Sequence, residues 1–279
     1  MIEMSEIDFL IIGAAKSATT WLQQCLQQEG HICMPSPELH YFSRHHALGD
    51  DWYLSQFDRE PHHRLVGEKS NSYLDEPQAC ARIRAALPHA RLIAQLRNPV
   101  DRAYSDYCML YRRGEVGRDI EHYLDPRHGH GRRFLSNGFY HDQLRAYRDA
   151  FPQEQLLVLF FEDMRRDAQR QLDIVGDFLR LDGGLNLAPL EGKVKDRTVP
   201  MVGPRLRQIL KPLKPVVAPL RKYRGFQAAR GLIASELDYV PLSRDMRDRL
   251  TEYYAPEVER LGKLLGRDLT AWLQGSKTT

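Results

Sequence analysis

The segment Gly13-Ala14-Ala15-Lys16-Ser17-Ala18-Thr19-Thr20-Trp21-Leu22 places small residues, a lysine and hydroxyls in the turn between an apolar run and a helical pattern. Small residues such as Ala15 and Ala18 let backbone N–H groups approach an anion closely. The start of the helix adds its dipole, and Lys16, Ser17, Thr19 and Thr20 supply charge and donors. This is a phosphate cradle in kind, a P-loop-like strand-loop-helix. It is not a Walker A loop, which needs a second glycine directly before the lysine, whereas Lys16 follows Gly13 by three residues.

A second segment, Leu96-Arg97-Asn98-Pro99-Val100-Asp101-Arg102-Ala103-Tyr104-Ser105, has an arginine at the end of an apolar run and a hydroxyl farther along the next helix. Ser105 lies about two turns in, roughly 10 Å along the axis. The Arg97 fork and the Ser105 hydroxyl suit a second phosphate. An ordinary ion pair of Arg97 or Arg102 with Asp101 is the alternative on these residues alone.

Four continuous apolar runs must position these groups: Phe9 to Gly13, Leu65 to Glu68, Arg91 to Leu96 and Leu156 to Phe161. They read as parallel strands covered on both faces. Helical periods occupy Thr20 to Gln28, Glu76 to Ala86, Pro99 to Arg112, Phe139 to Phe151 and Arg165 to Leu179, with Asn98-Pro99 a strong start signal. The alternation predicts an α/β fold, a single domain over 1–279 with a central parallel sheet flanked by helices and a core at about 8–180. Prolines 189, 200, 204, 212, 215 and 219 break any long helix, so 182–224 reads as a lid or acceptor-side loop region. Helices return in 225–279, most clearly from Ser243 to Leu265. In an open parallel sheet ligands sit beyond the carboxyl ends of the strands. The residues there are Lys16, Lys69-Ser70-Asn71, Arg97-Asn98 and Glu162-Asp163, so three of the four ends supply a cation and the edge suits a polyanion.

Charge and composition exclude several other classes. Forty Lys and Arg against 37 Asp and Glu leave +3, too little to argue for a nucleic-acid coat. The stretch from Lys193 to Arg224 holds ten Lys or Arg and one acid, Asp196, and could face an anionic ligand, an anionic polymer, a membrane surface or only solvent. Cys25, Cys33, Cys80 and Cys108 lack metal-ligand spacing, and His40, His45 and His46 fit no zinc pattern, so no metal is expected. No leader or membrane span is legible, which predicts a soluble protein of a reducing, cytoplasmic compartment. Leu156 to Asp163 imitates a Walker B strand; without a Walker A partner it reads as a buried strand whose acids cap the next helix.

Together the two segments resemble the 5′-phosphosulfate loop and the 3′-phosphate motif of the sulfotransferases that use 3′-phosphoadenosine-5′-phosphosulfate (PAPS). The likeness is greatest to the carbohydrate branch, the heparan sulfate N- and 3-O-sulfotransferase type and its bacterial relatives. It continues in order through Pro37-Glu38-Leu39-His40-Tyr41-Phe42, Asp51 to Phe57, Gly67-Glu68-Lys69-Ser70-Asn71-Ser72-Tyr73 and Gly138-Phe139-Tyr140, covering about residues 8 to 180. The resemblance implies that Lys16, Thr19, Thr20 and the local backbone hold the 5′-phosphosulfate. Arg97 and Ser105 would bind the 3′-phosphate, with Tyr140 near the nucleotide. It makes Glu38 the base, His40 an acceptor-side residue and Lys69 a lysine close to the transferring group. Lys195 and Arg197 match, loosely, a basic PAPS-contacting loop. Ala18 departs from the glycine common in the family, and the cysteine pair of some animal members is missing.

The chemistry fits these residue types. Charge grows on the bridging oxygen of the leaving nucleotide, where a fixed cation such as Lys16 helps most, and a carboxylate can take the proton of the attacking hydroxyl. The prolines at 35 and 37 favour an extended loop on which Glu38 and His40 project to one side. The expected reaction is sulfuryl transfer from PAPS to a hydroxyl or amine of a small-molecule or glycan acceptor. The rivals are a P-loop-like ATP-dependent small-molecule kinase and a non-catalytic polyanion-binding protein. Acceptor identity and oligomeric state are not legible.

Overall fold

The computed structural model describes residues 2–128, 132–181, 183–186, 201–202, 234–235 and 238–274. Five strands form one parallel sheet: β1 (Phe9–Gly13), β2 (Ile32–Cys33), β3 (Leu65–Lys69), β4 (Arg91–Leu96) and β5 (Leu156–Phe160), in the order β2-β3-β1-β4-β5. The chain leaves β1 for one side of the sheet, and the β3-to-β4 connection crosses to the other. The carboxyl end of β1 is therefore the switch point where such sheets open a crevice.

The helices, in chain order, are α1 (Thr19–Gln27), α2 (Asp50–Leu54), α3 (Ala79–Ala86), α4 (Pro99–Arg113), α5 (Ile120–Leu124), α6 (Arg132–Ser136), α7 (Tyr140–Ala150), α8 (Phe161–Arg166), α9 (Ala168–Leu179) and α10 (Arg244–Leu265). Side-chain alternation along β1 divides the core in two. Phe9 and Ile11 pack with Leu22 and Leu26 of α1 and Leu172 and Val175 of α9. Leu10 and Ile12 belong to the larger core with α3, α4, α7 and α10, which includes Ile83, Val100, Leu144 and Leu250.

Local signals set the helix ends. The Asn98 side chain accepts from the amides of Val100 (2.9 Å) and Asp101 (3.4 Å), Pro99 follows, and Gly114 closes α4 at φ +71°. The Asn98 amide group also donates to the carbonyl of Trp272 (3.2 Å), tying the C-terminal segment to the end of β4. The expected helix over Arg165 to Leu179 is two helices. Asp167 is extended and caps α9 through the amide of Arg170 (3.0 Å), so α8 ends before it. The expected strand Leu156 to Phe161 ends at Phe160 because Phe161 already begins α8.

β2 was not expected. Its two residues pair with Leu65 and Val66 of β3 and depend on that ladder rather than on an apolar run. The loop region expected over 182–224 lies outside the described residues, apart from 183–186 and Met201–Val202 (β6), which pairs antiparallel with Ala234–Ser235 (β7). Lys195 and Arg197 lie outside them as well. Among the described residues no helix is long and apolar enough to cross a membrane.

Gly67 stands opposite Phe9 in the β1–β3 register, and a Cβ there would lie 2.4 Å from the Phe9 ring, which is fully buried. The ring cannot retreat from a close-packed interior without forcing other side chains off their rotamers. Gly67→Ala is therefore expected to destabilise the fold by about 1 to 3 kcal/mol. Thermal unfolding checks this as a fall in Tm of several degrees, and an unchanged Tm would show that the sheet tolerates the methyl group.

Candidate active site

The turn after β1 carries the first group of candidates. Ala14 donates to the Gln95 carbonyl of β4 (2.8 Å), and Arg97 at the end of β4 donates to the Lys16 carbonyl (3.2 Å), so the loop is held by the neighbouring strand. Lys16 and Ala18 adopt left-handed φ of 72° and 66°. This conformation costs a residue with a Cβ about 1 to 2 kcal/mol and explains why glycine suits position 18. Ala18 is also the N-cap of α1 and makes no side-chain cap, while the first backbone bonds into the helix come from Trp21 and Leu22. The amides of Thr19 and Thr20 thus open the helix without a cap, which suits an anion at this terminus.

Lys16 reaches across to α4, where its Nζ lies 3.4 Å from Met109 Sδ. Met109 follows Ser105 by four residues, so Ser105 lies on the same face of α4, toward the loop. The Arg97 guanidinium stacks on the Phe161 ring at 4.4 Å. Asp101, the alternative ion-pair partner considered for Arg97 or Arg102, pairs with Arg247 of α10 at 2.9 Å. Tyr140 is 1% exposed and lies beneath the loop, near buried Ser17, Arg97 and Arg102. Burial pushes its phenol up to about 12.

The second group gathers on β3. Strand alternation sends Lys69 to the α1 face and Glu68 to the opposite, aromatic core. Lys69 is 3% exposed; its ammonium donates to Glu38 Oε1 (2.8 Å) and to Thr20 Oγ1 (3.3 Å). Glu38 also accepts from the backbone amide of Asn71 (3.0 Å) and from its side-chain amide (3.1 Å), with His40 Nε2 at 3.6 Å. Burial alone would raise the Glu38 carboxyl, but the Lys69 charge and hydrogen bond, the Asn71 amide and His40 together hold it below the ordinary carboxylate value. It is an ionised acceptor fixed in place. His40 lies beside Glu38 as expected, although its own backbone is left-handed at φ 51° rather than extended as the prolines suggested. Its backbone N–H donates to Ser70 Oγ (2.8 Å), and its Nδ1 lies 2.7 Å from Ser72 Oγ. Burial lowers the His40 pKa, and Arg44, His45 and Lys69 oppose the pull of Glu38, so the neutral ring is favoured.

The structure thus joins Thr19, Thr20, Glu38, His40 and Lys69 at the switch point, with Lys16, Arg97 and Ser105 around the adjoining loop and α4. Two residues of the segment from Gly67 to Tyr73 carried no individual role in the sequence. Asn71 was placed at the carboxyl end of its strand without a partner, and its bonds to Glu38 and Thr19 appear only in the structure. Glu68 is fully buried, where it accepts from Tyr73 (2.5 Å), Ser70 (2.7 Å) and, weakly, Tyr53 (3.5 Å). Glu162, expected to cap a helix, lies in the first turn of α8 and accepts from the Asn98 amide (3.0 Å). Asp163 pairs with Arg267 (2.7 Å). No cluster of potential metal ligands occurs among the described residues.

Burial raises the Glu68 carboxyl from the ordinary 4.5 to about 7, against the hydrogen bonds of Tyr73 and Ser70. A carboxyl whose folded pKa is raised contributes stability below the unfolded value and loses it as pH rises through the folded one. Between about pH 4.5 and 7 the wild type should lose of order 3 kcal/mol relative to Glu68→Gln, which has no such proton to release. Denaturant unfolding at pH 5 and 8 measures this. The Glu68→Gln variant should gain on the wild type at the higher pH, and parallel profiles would contradict the assignment.

Residues 6–191 match the family model for the sulfotransferase domain. The chain is 31% identical over 177 residues to human heparan sulfate glucosamine 3-O-sulfotransferase 6, covering 62% of this chain and 52% of that protein. It is 28% identical over 195 residues to the bifunctional heparan sulfate N-deacetylase/N-sulfotransferase 1 of Caenorhabditis briggsae, covering 62% and 22%. The chain thus spans about half, or less, of the length of these curated relatives. The solved sulfotransferase of Alicyclobacillus acidocaldarius superposes with a TM-score of 0.70 at 26% identity, covering 96% of this chain and 99% of that one. With the loop, the strand-end arginine and the Glu38–Lys69 pair in their expected order, the chain belongs to the sulfotransferase domain family.

Proposed function

We propose that this protein transfers a sulfuryl group from PAPS to a hydroxyl or amine of an acceptor, a saccharide or a glycosylated small molecule. One observation carries the reading: buried Lys69 bonds at once to the Glu38 carboxylate and to Thr20 in the first turn of the anion-binding helix. A proton acceptor and an anion cradle thus meet at one ammonium. This arrangement is of no use to a protein that only binds polyanions.

In this reading the 5′-phosphosulfate lies on the α1 terminus, held by the amides of Ala18 to Thr20 and by the Thr20 hydroxyl. Thr20 Oγ1 already accepts from Lys69, so its own proton is left for an anionic oxygen. Lys16 lies at the start of this cradle. A thioether such as Met109 is a weak acceptor, and the charge developing on a leaving phosphate oxygen is a much stronger one. Arg97 and Ser105, on the β4 end and α4, hold the 3′-phosphate, and Tyr140 supports the loop from below. Ionised Glu38 takes the proton of the attacking group, with neutral His40 on the acceptor side. Likeness to enzymes named for heparan sulfate supports a sugar acceptor. We place the reaction in the cytoplasm, where four buried, unbridged cysteines are at home.

The product nucleotide 3′-phosphoadenosine-5′-phosphate (PAP) should stabilise the folded protein without added metal. At a hundred times Kd the gain is about 2.7 kcal/mol, or a rise in Tm of roughly 5 to 10 °C. AMP, which lacks the 3′-phosphate, should give much less, and Arg97→Ala should shrink the PAP shift toward the AMP value. Equal shifts from PAP and AMP would eliminate the second phosphate subsite. A larger shift from ATP with Mg²⁺ would favour a kinase, and one from heparin-like polymers alone a polyanion binder.

A further inference from the structure

The Asn71 side chain sits between the two halves of the crevice, and both ends of its amide are occupied. Its Oδ1 accepts the hydroxyl proton of Thr19 at 2.6 Å, and its Nδ2 donates to Glu38 Oε1 at 3.1 Å. Its backbone amide holds the other carboxylate oxygen, Oε2, at 3.0 Å. Thr19 is 2% exposed and belongs to the first turn of α1, beside the left-handed Ala18. The partners fix the orientation of the amide: only Oδ1 can take the Thr19 proton while Nδ2 faces a carboxylate.

We propose that Asn71 is a positioning residue that fastens the proton-accepting carboxylate of Glu38 to the first turn of the anion-binding helix through Thr19. The proposal rests on the sulfotransferase reading only for what that carboxylate does. The tie itself is a property of the fold. It also redefines Thr19. Its hydroxyl proton is committed to Asn71, so Thr19 serves the anion through its backbone amide while Thr20 keeps a hydroxyl proton to donate. A shift of the first turn of α1 moves Thr19, Asn71 and the carboxylate together. The geometry that binds the donor is in this way the geometry that aims the base.

Lys69 and His40 face the same carboxylate. Arg44 and His45 act on His40, and Glu68 feels the Glu38 charge from the other face of β3. A substitution at Asn71 leaves all of these groups in the chain. It removes one charge-assisted donor from the ionised carboxylate and retains the backbone donor.

The test is the titration of Glu38, read by NMR on protein labelled with ¹³C at the glutamate carboxyls and assigned by the signal missing in Glu38→Gln. In Asn71→Ala the Glu38 titration should move up by about one pH unit, the scale of one lost hydrogen bond to a charged group. Asn71→Asp, which keeps the acceptor for Thr19 but turns a carboxylate toward Glu38, should move it farther. Thr19→Val probes the same tie from its other end, and also serves if Asn71→Ala fails to fold. It should move the titration upward by less, and the Asn71→Ala/Thr19→Val double variant should match Asn71→Ala because the two groups act in series. In a sulfuryl-transfer assay Asn71→Ala should lower kcat about tenfold while the KM for PAPS stays within about twofold. A Glu38 titration unchanged in Asn71→Ala and Thr19→Val, in protein still folded and still stabilised by PAP, would overturn the proposal. Loss of PAP stabilisation in the wild type would instead overturn the sulfotransferase reading, with the titration result standing by itself.

Discussion

A lysine ammonium that is 3% exposed must find an anion, and in this protein the partner of Lys69 is Glu38. Charges removed from water are costly unless paired and hydrogen-bonded, and breaking such a pair commonly costs about 3 to 5 kcal/mol. With a quarter of the Glu38 side chain exposed, water relieves part of that cost. What remains is enough to pin the Pro35–His40 loop to the end of β3. The rest of the crevice follows from this contact. His40 is drawn to Ser70 and Ser72, Asn71 closes over the second carboxylate oxygen, and the spare capacity of the ammonium reaches Thr20.

The anion-binding turn is locally unfavourable by the same standards. Two residues with a Cβ adopt left-handed φ, and the helix begins without a side-chain cap. Tertiary contacts hold it there: the Ala14 amide bonds to β4, the Arg97 fork to the Lys16 carbonyl, and the Thr19 hydroxyl to Asn71. A turn strained in isolation but held by the sheet is preorganised, so little rearrangement remains when charge arrives. Thr19 and Lys69 are buried at the cradle, Glu38 and His40 are partly exposed, and Arg44 and His45 beyond them are exposed.

Much of the scaffold was legible because parallel strands covered on both faces are uninterrupted apolar runs, as FLIIG, RLIAQL and LLVLFF are, the last overrunning the strand by one residue. β2 was not legible because two residues carry no period, and its ladder to Leu65 and Val66 exists only once β3 is in place. The break at Asp167 was hidden by an apolar period that continues across it, although the aspartate is itself a capping residue. In the site, Lys16, Glu38 and Lys69 were found by motif order. Asn71 and Glu68 were not, because chain order says nothing about which polar side chain turns inward. Strand alternation could have separated Glu68 from Lys69; it could not have shown that Tyr53 and Tyr73 wait on the far side. Tyr140 was expected near the nucleotide; its phenol is buried close to Ser17 of the loop and to Arg97, and that burial was not legible from its place in the chain.

Glu38 as the proton acceptor of a sulfuryl transfer is the central proposal for this site. Its most direct test is mass spectrometry of a panel of saccharide and small-alcohol acceptors incubated with PAPS and either the wild type or Glu38→Gln. A sulfuryl adduct is expected with the wild type. With Glu38→Gln it should form more slowly by a factor of about 10² to 10⁴, since the amide keeps the shape and removes the base. A Glu38→Gln enzyme that forms the adduct at the wild-type rate would show that Glu38 is not the base.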